Sequence, residues 1–559
     1  MKENFRFAAP YELPSYPFLT PDDLRGGARR RYPIVIVGAG PAGLTLACDL
    51  AQRGVASVLI DEDDTVGVRG ASSRGICYAQ KSLEILERME IGERAVAKGV
   101  AWSLGRTLSG DQEVYNFNLQ TQSVSEQPPF VNLQQFYLEW FLVDRIQELG
   151  LTDLRWKSRV TRVEEKGDYV LVQVETPAGN YALEAQYLID ATGVNSIIRT
   201  QLGVQTHASH SADRWCITDV RFAKPLPVER WTWVDAPFNE GRAVWQHLMP
   251  DNVWRIDYQM PEDADIESIS KPEMAGARLR EQLGPDVEFE FVWIGPYQYR
   301  DHLLDDFRHN RTFFIGDAAH VVSPFGARGG NTGMQDATNL GWKLALVTQG
   351  QAPESLLDSY SAERQPACVE NLEVTSRSAR FLAPMTPAER TLRRAALNLA
   401  RNHAFARPLI NTGRMSVAND YPASAWLPHG ARTVQNVALE RADSTPTSVM
   451  KLLRSGTRFL GFWLHPDSEV AEQAAEQLRE LPIDLYVIGD PSALRGLRDE
   501  GGVLARHLGA QPTDVAGSFF LVRPDAYLAA NLLNATPDAI RSALETALGL
   551  VNETIGASA

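Results

Sequence analysis

The first long apolar run of the chain, Ile34-Val35-Ile36-Val37, is broken at once by Gly38-Ala39-Gly40-Pro41-Ala42-Gly43. Small and apolar residues then continue from Leu44 to Leu50. This pattern predicts a buried strand, a glycine turn and a helix, in that order. Residues 55–61 read as a second short strand ending in an acid, residues 80–99 and 133–148 as helical, and residues 181–191 as a returning strand. Between about 205 and 305 the texture changes. Trp215, Trp231, Trp233, Trp245, Trp254, Trp293, Tyr258, Tyr297 and Tyr299 fall among short runs of alternating polarity such as Trp254-Arg255-Ile256-Asp257-Tyr258-Gln259. Alternation of that kind predicts a mostly antiparallel sheet, able to wall an aromatic pocket.

Residues 311–315 form a further predicted strand that runs into Gly316-Asp317. A new helix is expected from about Thr332, with helices over 333–349 and 353–380. Residues 432–559 alternate strand and helix patterns: strands at 459–464, 483–488 and 518–522, helices at 468–480 and 536–548. The predicted organisation is an arm (1–30), the first part of a nucleotide-binding α/β domain (31–204), an inserted sheet (205–305), completion of the α/β domain with helices (306–415), a linker (416–431) and a small C-terminal α/β unit (432–559).

Composition narrows the function classes. A formal charge of -15 argues against a nucleic-acid surface and against steady attachment to anionic lipid. Four cysteines, Cys48, Cys77, Cys216 and Cys368, lack the pair spacing of a zinc or iron–sulphur site, so no metal is expected. No apolar leader follows the first residues, and a reducing cytoplasm is the expected location. Residues 432–559 contain no cysteine, which excludes dithiol chemistry there.

The glycines carry the first chemical signal. Gly38 permits the tight turn, Gly40 lets backbone approach a pyrophosphate, and Gly43 lets helix and strand pack closely. The helix N-terminus offers unpaired N–H groups to phosphate. Asp61 lies 18 residues after Gly43, where an acid reaches a ribose hydroxyl. The second signal is Gly316-Asp317-Ala318-Ala319-His320, followed by Pro324-Phe325-Gly326-Ala327-Arg328-Gly329-Gly330-Asn331. Asp317 is placed to bind a sugar or ribityl hydroxyl, and the small residues suit a flat ring. His320 reads as a structural histidine of that turn. Arg74 is a candidate phosphate ligand.

With both motifs in place, and with Gln335-Asp336-Ala337-Thr338-Asn339-Leu340-Gly341-Trp342-Lys343-Leu344 after them, the chain resembles the single-component flavin-dependent aromatic hydroxylases typified by p-hydroxybenzoate hydroxylase. It is most similar to their 3-(3-hydroxyphenyl)propionate hydroxylase-like and phenol hydroxylase-like branch. The resemblance covers about 31–415 well and the C-terminal unit more loosely. It implies a Rossmann-like FAD-binding domain with an inserted, mostly antiparallel substrate sheet, and a thioredoxin-like C-terminal domain without its dithiol. It implies tight, non-covalent FAD, transient NADH or NADPH, dioxygen, and hydroxylation of a phenolic ring through a flavin C4a-hydroperoxide. The substrate is a small aromatic, with or without a carboxylate, and a homodimer is compatible with the class.

Residue by residue, the resemblance assigns Asp61 to the adenosine ribose, Arg74 to the pyrophosphate, Gln135 to FAD, and Asp317 to the ribityl chain and phosphate. Gly329, Gly330 and Asn331 belong to the loop against the flavin, and Pro324 lies beside ring and substrate. The family's middle motif departs here: Thr192, in Asp190-Ala191-Thr192-Gly193, stands where the family has Asp. That puts the nicotinamide mode in question, and Asp190 compensates only if the turn differs. On the substrate side, Tyr258, His247 and Tyr299 are candidates for helping a phenol lose its proton. Arg255 is a candidate for holding a carboxylate. Arg255 and Tyr258 should face opposite sides of one strand. The rival readings are a flavin dehydrogenase or reductase, a halogenase (Trp231-Thr232-Trp233-Val234-Asp235-Ala236-Pro237 superficially fits its tryptophan motif) and a non-enzymatic flavin-binding module.

Overall fold

The computed structural model describes residues 11–550 apart from 27–28, 68–74, 120–122, 325, 385, 411–416, 455, 465–467, 490–494 and 511–516, and apart from the side chains at 210–212, 266, 299 and 468. Its first sheet is centred on the strand Arg31–Val37. Gly179–Asp190 and Ser57–Ile60 flank that strand in parallel, and Thr312–Phe314 and Thr152–Arg155 extend the sheet on either side, also in parallel. Ile34, Val35 and Ile36 are fully buried because both faces of the sheet are covered, which explains why this strand reads as a continuous apolar run. Antiparallel strands Arg159–Glu165, Val170–Thr176 and Arg308–His309 complete the sheet. The carboxyl ends at Val37, Ile60, Asp190 and Phe314 therefore open onto one edge, where open α/β sheets bind their ligands.

The second sheet has eight strands and is antiparallel except where Leu104–Ser109 lies parallel to Arg230–Ala236. It extends beyond the predicted 205–305. The hairpin formed by Leu104–Ser109 and Gln112–Asn118 caps one edge, and His320–Val321 pairs onto Phe289–Leu304 at the other. The loop after the Gly316-Asp317 turn is thus stitched directly into the sheet. Strand alternation sorts the side chains of Val253–Met260. Trp254, Ile256 and Tyr258 join the apolar cluster that includes Leu279 of the helix Pro272–Leu283, while Arg255 and Asp257 face the other side.

Three local differences from the sequence reading have simple causes. The helical stretch 80–99 is two helices, Gln80–Arg88 and Gly92–Lys98, because Glu90 between them adopts a left-handed φ of 63°. The helix expected from Thr332 begins earlier, as Gly329–Thr348. Glycine lowers helix propensity, so the sequence pattern places the start too late. Residues 353–380 divide into a short 3-10 turn, Glu354–Leu357, and the helix Asp358–Leu382.

The C-terminal strands form a third sheet, in which Phe459–Leu464 runs parallel to Ile483–Ile488 and antiparallel to Phe519–Val522, with Tyr527–Leu532 beyond. Helices Ser468–Gln477 and Pro537–Ala547 accompany it. A buried ionic knot joins this unit to the helices of the nucleotide-binding domain. Arg523 donates to both carboxylate oxygens of Glu363 at 2.7 and 2.8 Å, and Lys343 donates to Glu363 Oε2 at 2.9 Å. Burial alone would raise the Glu363 carboxyl, but Arg523 and Lys343 outweigh it and hold it at about 2. At the other end of the chain, residues of the N-terminal arm lie on the first sheet's domain. Tyr16 stacks on Trp156 at 4.6 Å, and Asp23 pairs with Arg155 at 2.8 Å. Among the described residues no helix is long and apolar enough to cross a membrane.

Replacing Glu363 by Gln leaves the buried Lys343 without its carboxylate and Arg523 with Asp525 alone. We expect a loss of about 3–5 kcal/mol of stability in chemical denaturation. Limited proteolysis should release the C-terminal unit first. Unchanged denaturation would mean that the apolar contacts hold the unit unaided.

Candidate functional site

A cavity of about 1180 Å³ runs from the carboxyl edge of the first sheet to the polar face of the second. It is larger than a typical single-ligand pocket of about 300–1,000 Å³. One end is framed by Gly38, Gly40, Asp61, Gln135, Asp317 and Gly330. The other is framed by Arg230, Trp245, His247, Arg255 and Asp257. Pro324 and Gly329 also line it.

At the nucleotide end the glycines do different work. Gly38 has φ +108°, and a Cβ there would lie 2.4 Å from the Ala191 carbonyl oxygen. A Cβ on Gly43 would lie 2.0 Å from the Gly38 oxygen. These two positions serve the close approach of turn, helix and strand, and Gly43 itself does not line the cavity. Gly40 and Gly330 are different: a Cβ on either meets nothing within 4 Å. The protein's own packing does not require a bare backbone at those points, whereas a phosphate or flat ring lying on them does. Each glycine sits at the start of a helix, Pro41–Gln52 or Gly329–Thr348, so unpaired first-turn N–H groups and the positive dipole end face the same space. This cradle fits a dinucleotide such as FAD.

Asp61 follows the second strand. It accepts from the Ala39 N–H at 2.5 Å and the Asp63 N–H at 2.8 Å, which ties it to the glycine turn. Burial pushes its carboxyl up, and the two N–H groups oppose that. Gln135 starts the helix Gln135–Leu149, accepts from the Gly75 N–H at 3.0 Å and donates to Glu139 at 2.7 Å. Asp317 is exposed to the cavity. Arg74 lies outside the described residues.

Asn331 has another task. Its amide donates to the carbonyls of Cys77 and Ala327 and accepts from the Ala79 N–H and the Ser82 hydroxyl. That fills both its donors and both its acceptor positions, so its side chain anchors the loop rather than binding a cofactor. Asp190 does not compensate for Thr192. It is fully buried, accepting from Thr192 Oγ1 at 2.6 Å and from the Ser196 hydroxyl, while Thr192 itself lines the cavity. Arg199 links this turn to the second loop by donating to the carbonyls of Val194 and Ala318, both at 2.8 Å.

The second loop hangs on Asp336. Its Oδ2 faces His320 Nε2 at 2.5 Å and accepts the Gly316 N–H at 3.1 Å, and its Oδ1 accepts from Arg364 Nε at 2.7 Å. All three side chains are fully buried. Burial would raise the Asp336 carboxyl, but His320 and Arg364 outweigh it and hold it at about 2. His320 has no exposure to the cavity and is a scaffold residue. Cys368 lies close to this pair, but Arg364 already neutralises the carboxylate, which disfavours a metal there.

At the sheet end, the expected substrate residues separate. Tyr258 does not line the cavity: its hydroxyl donates to Gln282 at 2.5 Å on the opposite face. Arg255 does line it, but Asp219 holds its guanidinium in two bonds of 2.7 Å each, so it is not the open carboxylate clamp expected from sequence. His247 lines the cavity, is 3% exposed, and has no hydrogen-bond partner on either ring nitrogen. Burial, then Arg230 and Arg255, push it well below its usual range, so it is neutral. The Tyr299 side chain lies outside the description. Sequence reasoning passed over Arg230 and Asp257; Trp215 and Trp245, both named among the aromatics of the sheet, form a stacked pair with rings 4.7 Å apart. The available signal was alternation: Asp257 is two residues from Arg255 and shares its face.

Gly40→Ala should leave melting temperature unchanged and weaken FAD retention by about 1–3 kcal/mol, the cost of forcing a methyl into a filled contact. Gly38→Ala should lower the melting temperature itself, since a strained φ costs about 1–3 kcal/mol before the clash is counted. FAD content and thermal unfolding of the two variants separate these outcomes. Asp336 has a depressed folded-state pKa, so its stabilisation is present above the unfolded value of about 3.9 and is lost as pH falls toward about 2. Asp336→Asn should remove that acid limb from a stability–pH curve.

The comparisons agree with this geometry. The sequence model of the FAD binding domain matches residues 31–375. The 4-methyl-5-nitrocatechol 5-monooxygenase of a Burkholderia species is 29% identical over 544 residues, covering 92% of this chain and 95% of that one. A 3-(3-hydroxy-phenyl)propionate/3-hydroxycinnamic acid hydroxylase of Mycolicibacterium smegmatis is 26% identical over 351 residues, 63% of this chain and 61% of its own. Among solved structures, an anhydrotetracycline hydroxylase from Streptomyces rimosus superposes with a TM-score of 0.70 at 27% identity, covering 93% of this chain and 99% of that one. Because the family match spans more than half of the chain, this protein belongs to the FAD binding domain family, and it is a flavoprotein of the aromatic-hydroxylase class.

Proposed function

We propose that the protein hydroxylates a small phenolic ring, using FAD, a nicotinamide donor and dioxygen. The observation that carries this reading is the continuity of the cavity. A dinucleotide cradle at one end opens, without a separating wall, onto a face lined by tryptophan, arginine, histidine and aspartate at the other. When bound, FAD supplies hydride acceptance and oxygen activation; the protein supplies position, dryness and charge.

Gly40 and the two helix starts hold the phosphates and the ring edge. Asp61 reaches the adenosine ribose, Gln135 steadies the adjoining segment, and Asp317 reaches the ribityl hydroxyls. Pro324 and Gly329 shape the passage between the two ends. Trp215 and Trp245 form an aromatic wall against which a flat ring can stack. A transient nicotinamide shares this cavity, and Thr192 rather than an acid meets it. The parallel pair of strands, followed by an antiparallel pair and a helix, supports a thioredoxin-like reading of the C-terminal unit. Without cysteines, that unit serves as a brace.

The test is anaerobic reduction of the FAD-loaded protein by NADH and by NADPH, with and without a panel of phenols. One phenol accelerating reduction roughly tenfold or more, and yielding a hydroxylated product in air, is the expected result; a factor of ten corresponds to about 1.4 kcal/mol of barrier. Rapid reduction indifferent to every phenol, with no oxygen inserted, would instead identify a reductase.

A further inference from the structure

The substrate end of the cavity contains polar groups that the fold leaves without partners. Asp257 stands opposite Trp245 on one neighbouring strand and Ile217 on the other. It is 8% exposed, lines the cavity, and its Oδ1 is buried without a hydrogen bond. His247, paired in register with Arg255, presents two ring nitrogens in the same condition. Arg230 lines the same space. Among the described residues it has no hydrogen-bond or ion-pair partner, only the rings of Trp102 and Trp245 at 5.8 and 5.9 Å. Buried polar groups are almost always satisfied, so the unsatisfied Asp257 and His247, converging on a single cavity beside the half-buried Arg230, mark the place of a ligand that satisfies them.

Resting on the reading of the site as a phenol hydroxylase, we propose that Asp257 is the base that takes the substrate's phenolic proton, with Arg230 holding the resulting phenolate and His247 hydrogen-bonding the same oxygen. The step balances simply. The phenolic O–H bond breaks, its proton becomes the O–H of the Asp257 carboxylic acid, and the electron pair stays on the phenolate oxygen, enriching the ring for oxygen transfer. No oxidant or reductant enters this step.

The electrostatics suit it. Burial raises the Asp257 carboxyl, with Arg255 and Arg230 opposing and Asp219 reinforcing, to about 7. An ordinary carboxylate is too weak a base for a phenol of pKa near 10, a gap of roughly six units. Asp257 narrows this to roughly three, and a cation beside the phenolate lowers the phenol by about one to three more. The groups facing Asp257 are accounted for. Arg255 lies on its own strand and is neutralised by Asp219, Arg230 and His247 come from the two strands beyond, and the thiols of Cys77 and Cys216 are pushed up by burial and stay protonated. Neutral His247 is available to accept or donate, but too acidic when protonated to retain the phenol's proton. The chemical class that fits is an uncharged phenol stacked on Trp245. A benzoate-like anion that depends on an arginine clamp fits poorly, because Arg255 is already occupied.

The experiment uses the FAD-loaded full chain and two readouts. Calorimetric binding of phenol itself should weaken roughly fivefold as pH falls through about 7 and the charge-assisted bond to Asp257 is lost, and Asp257→Asn should abolish that pH dependence. Single-turnover hydroxylation of a phenol that the wild type accepts should show an acid limb near the same pH. Asp257→Asn should remove the limb and slow the step by about 10²–10⁴, with FAD content retained, and Asp257→Glu should restore part of the rate and the limb. Arg230→Met should weaken phenol binding and keep the acid limb but move it to higher pH, because Arg230 holds the Asp257 carboxyl down. A wild-type protein that hydroxylates phenols while Asp257→Asn keeps rate and limb overturns the role of Asp257 alone. A wild-type protein that inserts oxygen into no phenol overturns the hydroxylase reading and this proposal with it. If Asp257→Asn fails to fold, the Asp257→Glu profile decides: a limb displaced with the new carboxyl supports the role, and an unmoved limb refutes it.

Discussion

One buried carboxylate holds the flavin loop in place. Asp336, on the helix Gly329–Thr348, meets His320, the Gly316 N–H and Arg364 at once, so it joins the turn, the strand that follows and the helix Asp358–Leu382. Removing any one partner would leave a charge or a donor stranded in a dry interior, a cost of several kcal/mol that keeps the set together. Because His320–Val321 is also an edge strand of the second sheet, the same carboxylate fixes how that sheet meets the nucleotide end. The cavity is a consequence of this junction: its two ends come from different sheets and are brought into register by a loop neither sheet could hold alone.

The parts legible in the sequence are those governed by local stereochemistry. Gly38 is required by its φ and by the Ala191 carbonyl, and Gly43 by the Gly38 carbonyl, so a glycine pattern in a strand-to-helix turn translates almost directly into structure. Asp61 and Asp317 follow from strand ends for the same reason. What stayed hidden depends on which face of a strand is buried. Arg255 and Tyr258 both stand out as candidates in the alternating run and Asp257 between them does not; only the helix Pro272–Leu283, packing on the Trp254–Ile256–Tyr258 side, decides that the charged side chains face the cavity. Asn331 shows the converse. Its motif is legible, but its role is set by partners more than 240 residues away in sequence.

The hairpin Leu104–Asn118 was missed for a related reason. Its Gln112-Glu113-Val114-Tyr115-Asn116-Phe117-Asn118 run alternates, but nothing local says which sheet it joins. It packs where the apolar cluster of Val114, Tyr115 and Val234 meets the helix Pro387–Asn402, and tertiary burial rather than strand propensity selects that edge.

The two charged centres of the protein are built on opposite principles. Around Asp336 and around Glu363 every charge has a geometrically matched partner, and both carboxyls are drawn down to about 2. Such groups do not exchange protons near neutrality; they hold backbone and domains in place. Around Asp257 the matching is withheld: Arg255 is given to Asp219, His247 has no partner, and the carboxyl rises to about 7. A fold that matches its charges around Asp336 and Glu363, yet leaves Asp257 and His247 unsatisfied on one wall of this cavity, carries a local cost that folding alone does not explain. A ligand that brings a proton, a negative charge on ionisation and a flat apolar body would remove that cost at every one of these groups, and a phenol has all three properties.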